Sequence, residues 1–182
     1  MPAVILGTRN EENLYYGEDG GWKANYIPAF IRRYPFVFSS GDQGDTFTLC
    51  IDEDFEGCNR EGKGERLFDA DGEQTQYLKN VLEFLKEFQA HFRRSQSFCA
   101  KIAELDLLEP MGAQFNQDGE KRSLTGFMTV NREKLKALSG EQLSELVKSD
   151  GLELLYLHLQ SLSNFTSMME RIKDASDALP DT

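Results

Sequence analysis

Residues 77–92 read Tyr-Leu-Lys-Asn-Val-Leu-Glu-Phe-Leu-Lys-Glu-Phe-Gln-Ala-His-Phe, and the spacing of their apolar members decides much of the fold. Tyr77, Leu78, Val81, Leu82, Leu85, Phe88 and Phe92 recur at three- and four-residue steps. That period lays one apolar stripe along a helix, predicted over about residues 74–93. The stripe falters at Arg93-Arg94-Ser95-Gln96 and resumes with Phe98, Ile102, Leu105 and Leu108. One continuous helix and a second helix capped near Ser95 or Ser97 both fit. Pro110 is expected to end it either way, because proline cannot donate to the helical ladder and clashes with the preceding turn.

Toward the carboxyl end, Ala113–Gln117 and Lys121–Val130 flank Asp118-Gly119. An Asp-Gly pair between such runs tolerates the positive φ angles of a tight hairpin turn, so two antiparallel strands are expected. Ser139-Gly140-Glu141-Gln142 has the form of a capping box and should open a short helix ending near Ser149. From Gly151, Leu152, Leu155, Leu159, Leu162, Phe165, Met169 and Ile172 define one face, widened by Leu154, Leu157 and Met168. This pattern predicts a long carboxyl-terminal helix at the centre of the core, with a tail that frays after Asp174.

Toward the amino end, Asp52 to Gly72 is acidic and glycine-rich with little periodicity, and reads as a long exposed connection. Before it, Tyr34–Ser39 and Phe47–Ile51 are strand-like, and the intervening Ser40–Asp45 suits a turn, which predicts an antiparallel hairpin with Pro35 at a strand start or edge. Ala3–Leu6 and Asn13–Tyr16 are two further candidate strands. The fold class is therefore α+β: antiparallel hairpins packed against several amphipathic helices in a single domain over residues 1–182.

Composition bounds the function. With 182 residues and 40% hydrophobic content the chain can bury one substantial core. Its net charge of -11 repels phosphate backbones and anionic lipid, which disfavours nucleic acid and membrane surfaces as partners. No stretch approaches the roughly 18 apolar residues of a membrane span, and the apolar run Ala3–Leu6 is too short for a secretory signal core. A cytoplasmic location is the default expectation. Cys50, Cys58 and Cys99 match no zinc spacing and read as reduced thiols, with a Cys50–Cys58 disulfide as the alternative.

Catalytic signatures are absent: there is no phosphate-cradling loop, dinucleotide fingerprint or nucleophile elbow. Asp52-Glu53-Asp54-Phe55-Glu56-Gly57 imitates the start of a calcium loop, but Lys63 stands where the bidentate glutamate belongs, so no metal and no cofactor is expected. His91 and His158 read as hydrogen-bonded or surface groups, and Cys50 and Cys99 as core residues. What remains is residues 21–36, which hold five aromatics, two prolines and an arginine pair. The aromatics imply a stretch largely covered by protein. Trp22, Tyr26, Arg32, Arg33 and Tyr34 could line a pocket that holds an anion through bidentate guanidinium contacts. Against this stands simple pairing of Arg32 or Arg33 with an acid such as Asp52 or Asp69.

The run Tyr26-Ile27-Pro28-Ala29-Phe30 followed by Arg32-Arg33-Tyr34-Pro35-Phe36 resembles the signature of the bacterial SapC family. Further segments agree in order: Leu49–Glu53, Leu67–Glu73, Leu105–Pro110, Asp118-Gly119 with Gly126, and Leu155–Leu162. Family members usually carry some tens of residues before the strand matching Ala3–Gly7, so that segment is expected to be missing here. The resemblance implies a protein associated with the surface layer or cell envelope, and it carries no catalytic residues over. The function expected is non-enzymatic binding of a partner or ligand in an envelope-related process, with a surface-layer or envelope protein as partner and surface association by a non-classical route left open. The alternative is a small-molecule-binding or tailoring enzyme with an anion pocket over Arg32 and Arg33. Self-association into a homo-oligomer is compatible with either.

Overall fold

The structure is a computed structural model that describes residues 1–17, 19–40, 46–117 and 120–177. In chain order the elements are α1 (Ala29–Arg32), β1 (Phe36–Ser40), β2 (Phe47–Ile51), α2 (Gln76–Glu104), β3 (Leu108–Gln117), β4 (Glu120–Val130), α3 (Arg132–Lys136), α4 (Gly140–Lys148), α5 (Gly151–Ser161) and α6 (Asn164–Asp177). The fold is α+β, with two antiparallel pairs, β1–β2 and β3–β4. Both expected hairpin turns, within Ser40–Asp45 and at Asp118-Gly119, fall wholly or mainly outside the described residues.

The chain forms two compact units, residues 25–95 and residues 1–24 with 96–182. In the first, β1 pairs with β2 from Phe36↔Ile51 to Ser40↔Phe47. Thr75 caps α2, its Oγ1 accepting from the Leu78 N–H at 3.3 Å. Phe36, Leu78 and Leu85 are buried in this unit, the two leucines lying two turns apart on the stripe that predicted the helix.

The other unit has the larger core. Ile102, Leu107, Val130, Leu135, Leu146 and Leu155 form one buried cluster, with Phe98, Leu105, Leu108, Leu138, Leu152 and Leu159 packed against it. Ends of α2 and β4 therefore meet α3, α4 and α5 there. The α4 cap is the box read from the sequence: Ser139 Oγ accepts from the Gln142 N–H at 3.2 Å and Gln142 Oε1 accepts from the Ser139 N–H at 2.9 Å. Helix α3 escaped the sequence reading, although Asn131 is a good cap and accepts from the Lys134 N–H at 2.9 Å.

Four expectations are corrected. Helix α2 takes the continuous one of the two forms left open, running through Arg93–Ser97, but ends at Glu104, well before Pro110. Asp106 adopts a left-handed φ of 52°. Its N–H donates to the Ala103 carbonyl and the Leu107 N–H to the Ile102 carbonyl, both at 3.0 Å, which is a Schellman closure. Pro110 lies inside β3, opposite Met128 in a two-stranded pair where one edge is always unpaired. The expected long carboxyl-terminal helix is broken into α5 and α6 at Leu162-Ser163. There Ser161 Oγ donates to the His158 carbonyl at 2.7 Å and Ser163 Oγ to the Gln160 carbonyl at 2.8 Å, hydroxyls competing for acceptors of the helical ladder.

The amino-terminal strands do not form. Ala3–Leu6 lies in no strand, and from Asn13–Tyr16 only Tyr16 makes an isolated bridge, to Trp22. Glu12 draws the intervening chain into a turn by accepting from the Thr8 N–H at 2.7 Å and the Arg9 N–H at 3.1 Å. Three of the five aromatics of residues 21–36 are not covered either: Tyr26, Phe30 and Tyr34 are 62%, 65% and 54% exposed, while Phe36 is buried and Trp22 half-buried.

Candidate functional site

Residues 28–36 form a single turn that leads into β1. Pro28 pre-sets the first turn, and its carbonyl accepts from the N–H groups of Ile31 and Arg32 at 2.9 and 3.0 Å. The turn leaves Arg32 and Arg33 adjacent at its carboxyl end. The Arg32 guanidinium carbon lies 5.3 Å from the Tyr26 ring centroid and 5.1 Å from that of Phe84. The Arg33 carbon lies 4.2 Å from Phe30 and 4.9 Å from Phe88. Phe84 and Phe88 are four residues apart on α2 and so share one face of it. Each arginine thus rests on one ring from its own segment and one from the long helix.

Within 4 Å, neither guanidinium has a carboxylate partner among the described residues. Arg32 Nη2 donates to the Tyr26 hydroxyl at 3.3 Å. The acids expected to neutralise the pair are engaged elsewhere. Asp52 accepts from the Tyr34 hydroxyl at 3.0 Å and from the Asp54 N–H at 3.1 Å, while Asp69 accepts from the Asp71 and Glu73 N–H groups at 3.0 and 2.9 Å. The hydrogen bond to Asp52 raises the Tyr34 phenol above its ordinary pKa. The Tyr34 ring also meets Phe55 edge-on at 5.3 Å.

Of the five residues singled out in the sequence, the structure joins Tyr26 to Arg32, sets Arg33 beside them in the chain on rings of its own, and turns Tyr34 toward Asp52 and Phe55. Trp22 belongs to the other unit, where it stacks on Tyr15 at 6.0 Å. Arg171 lies over that same Tyr15 ring at 4.7 Å and donates to the Lys23 carbonyl at 2.8 Å. Phe30, Phe84 and Phe88 were not singled out as site residues. Phe88 reads as part of the helical stripe and Phe30 as one of the covered aromatics of residues 21–36, and Phe84 carries no signal of its own.

His158 has a structural role. Its Nε2 accepts from the Val130 N–H at 3.3 Å and lies 3.1 Å from the Thr129 hydroxyl, tying α5 to the end of β4. Burial lowers its pKa below the ordinary imidazole value of about 6.5. A depressed folded-state pKa means its contribution to stability is complete above about pH 6.5 and is lost as pH falls through the lower folded value. Urea midpoints measured from pH 8 to 5 should therefore decline on the acid side of 6.5, and His158→Gln should flatten that part of the profile. Cys50, Cys58 and Cys99 are unpaired and half-buried, short of the full burial expected for Cys50 and Cys99.

A family model described as SapC matches residues 1–168, most of the chain. The chain belongs to the SapC family. No curated protein and no solved structure matches it. Among the described residues of this SapC protein, no helix is long and apolar enough to cross a membrane and no group of three or more His, Cys, Asp or Glu side chains could hold a metal ion.

Proposed function

We propose that this SapC protein is a non-enzymatic binding protein that recognises a protein partner in a surface-layer or cell-envelope process, through the surface built by Tyr26, Phe30, Arg32, Arg33 and Tyr34. The observation that carries this reading is the ring-mounted arginine pair with no carboxylate partner among the described residues, flanked by three aromatics more than half exposed. Arginine, tyrosine and other aromatics are the residue types that dominate binding energy at protein interfaces, and rings held by packing lose little entropy when a partner covers them. The tailoring-enzyme alternative calls for a titratable group beside the arginines. Asp52 accepts from Tyr34, and His158 bonds to Thr129 and Val130, so neither of these two candidates favours that alternative.

Arg32→Ala and Tyr34→Ala are each expected to weaken association with an envelope partner by about 2 kcal/mol, or roughly thirtyfold, the range of interface hot spots. Affinity capture from native-host envelope extracts, with mass spectrometry of retained proteins, checks this. A partner retained equally by wild type and by both folded variants would overturn the reading.

A further inference from the structure

We propose that Arg32 and Arg33 form a twin carboxylate receiver, so that the segment this protein binds is an acidic peptide with clustered Asp or Glu side chains. The inference rests on the binding-protein reading above and adds the chemistry of the ligand.

Two adjacent cations normally seek acids, and this chain has an excess of them, thirty-one against twenty bases. Yet Asp52 and Asp69, the acids the sequence suggested as partners, are consumed by a phenol and by backbone amides. The guanidiniums are instead mounted on rings, Arg32 over Tyr26 and Phe84, Arg33 over Phe30 and Phe88. Contact with rings does not use up the N–H donors of a guanidinium, and its in-plane N–H edge is the part that receives a carboxylate through two parallel hydrogen bonds. Of the ten side-chain donors on the two residues, the described structure commits one, Arg32 Nη2 to the Tyr26 hydroxyl. The neighbouring rings also restrict each guanidinium, which reduces the entropy lost on binding.

The choice of an acidic peptide over other polyanions follows from charge and surface. A net charge of -11 opposes the approach of an extended polyanion such as nucleic acid or an anionic bilayer, whereas a short acidic segment meets the local cations with less of that repulsion. Exposed Tyr26, Phe30 and Tyr34 supply apolar contact for the peptide's remaining atoms.

The test uses the full chain and a fluorescein-labelled hexaglutamate peptide, with hexaglutamine as neutral control and polygalacturonate as a non-peptide polyanion. Fluorescence anisotropy should show hexaglutamate binding that weakens with salt, no hexaglutamine binding, and a loss of at least about tenfold in Arg32→Lys and in Arg33→Lys, which keep the charge but lose the fork. Circular dichroism establishes that the lysine variants remain folded. Absence of hexaglutamate binding, equal binding of hexaglutamine, tighter binding of polygalacturonate, or lysine variants as tight as wild type would each overturn the proposal. An envelope partner released by Tyr34→Ala but held by both lysine variants would sink the carboxylate receiver and leave the binding-protein reading standing. Retention by all variants would remove both.

Discussion

Leu155→Ala is expected to lower the unfolding free energy by about 3 kcal/mol, within the range for fully buried leucines whose surroundings cannot collapse. Leu155 is fully buried, at 0% exposure, in the cluster shared with Ile102, Val130, Leu135 and Leu146, so residues from four other helices and strands share the cluster that its removal would open. Each of those elements is held in place by its own backbone ladder or cap, as at Ser139 and Asn131, which limits how far any can move inward. For a chain of this size each kcal/mol is worth roughly 2–4 °C of melting temperature, so a fall of about 6–12 °C should appear in a thermal melt followed by circular dichroism. Leu157→Ala is the matched control: it removes the same atoms from the same helix at a position 57% exposed, and should change stability by less than about 0.5 kcal/mol. Equal losses in the two variants would mean that the face of α5 has been assigned wrongly.

The burial of Leu155 was legible in the sequence from local period, whereas Leu157, read as widening the same face, is 57% exposed. Also legible were the course of α2 from its stripe, the β1–β2 and β3–β4 pairs, and the Ser139 capping box, each of which is encoded within a few residues of itself. The failures have a common physical origin in competition that local patterns do not reveal. Ala3–Leu6 has the apolar run of a strand but finds no described strand partner, and the Glu12 carboxylate gathers the amides of Thr8 and Arg9 into a turn instead. The helical stripe of residues 151–172 continues past Ser161, yet two serine hydroxyls bonded to ladder carbonyls coincide with its break.

The candidate site divides in the same way. That Arg32 and Arg33 needed compensation was readable from their neighbours. That the compensation would come from Phe84 and Phe88 was not, since both lie far along the chain, Phe88 on the stripe that reads as buried core and Phe84 outside the residues counted in it. Exposure of Tyr26, Phe30 and Tyr34 runs against the ordinary tendency of aromatics to be covered. The proposed binding surface draws on these three rings, which adjoin two cations whose donors are mostly uncommitted among the described residues.

Leu107→Ala should be nearly as damaging as Leu155→Ala, at about 3 kcal/mol, for a reason that concerns how α2 ends. Leu107 is also at 0% exposure, and its N–H closes the Schellman turn on the Ile102 carbonyl while its side chain shares the core cluster with Ile102. Its carbonyl accepts from the Asn131 N–H at 2.8 Å, which aligns the start of β3 with the end of β4. Truncation therefore loosens the apolar contact that accompanies the turn as well as leaving a cavity. Pro110→Ala tests the competing idea that proline terminates the helix: were that so, its removal would let α2 lengthen and raise the helical signal at 222 nm. With Asp106 already left-handed and Leu107 anchored, Pro110→Ala is expected to leave helicity unchanged and stability within about 1 kcal/mol, whereas Leu107→Ala should speed amide exchange at Leu107 and Asn131. A gain of helicity in Pro110→Ala, or unaltered exchange in Leu107→Ala, would show that the helix end is set by something other than the turn at Asp106.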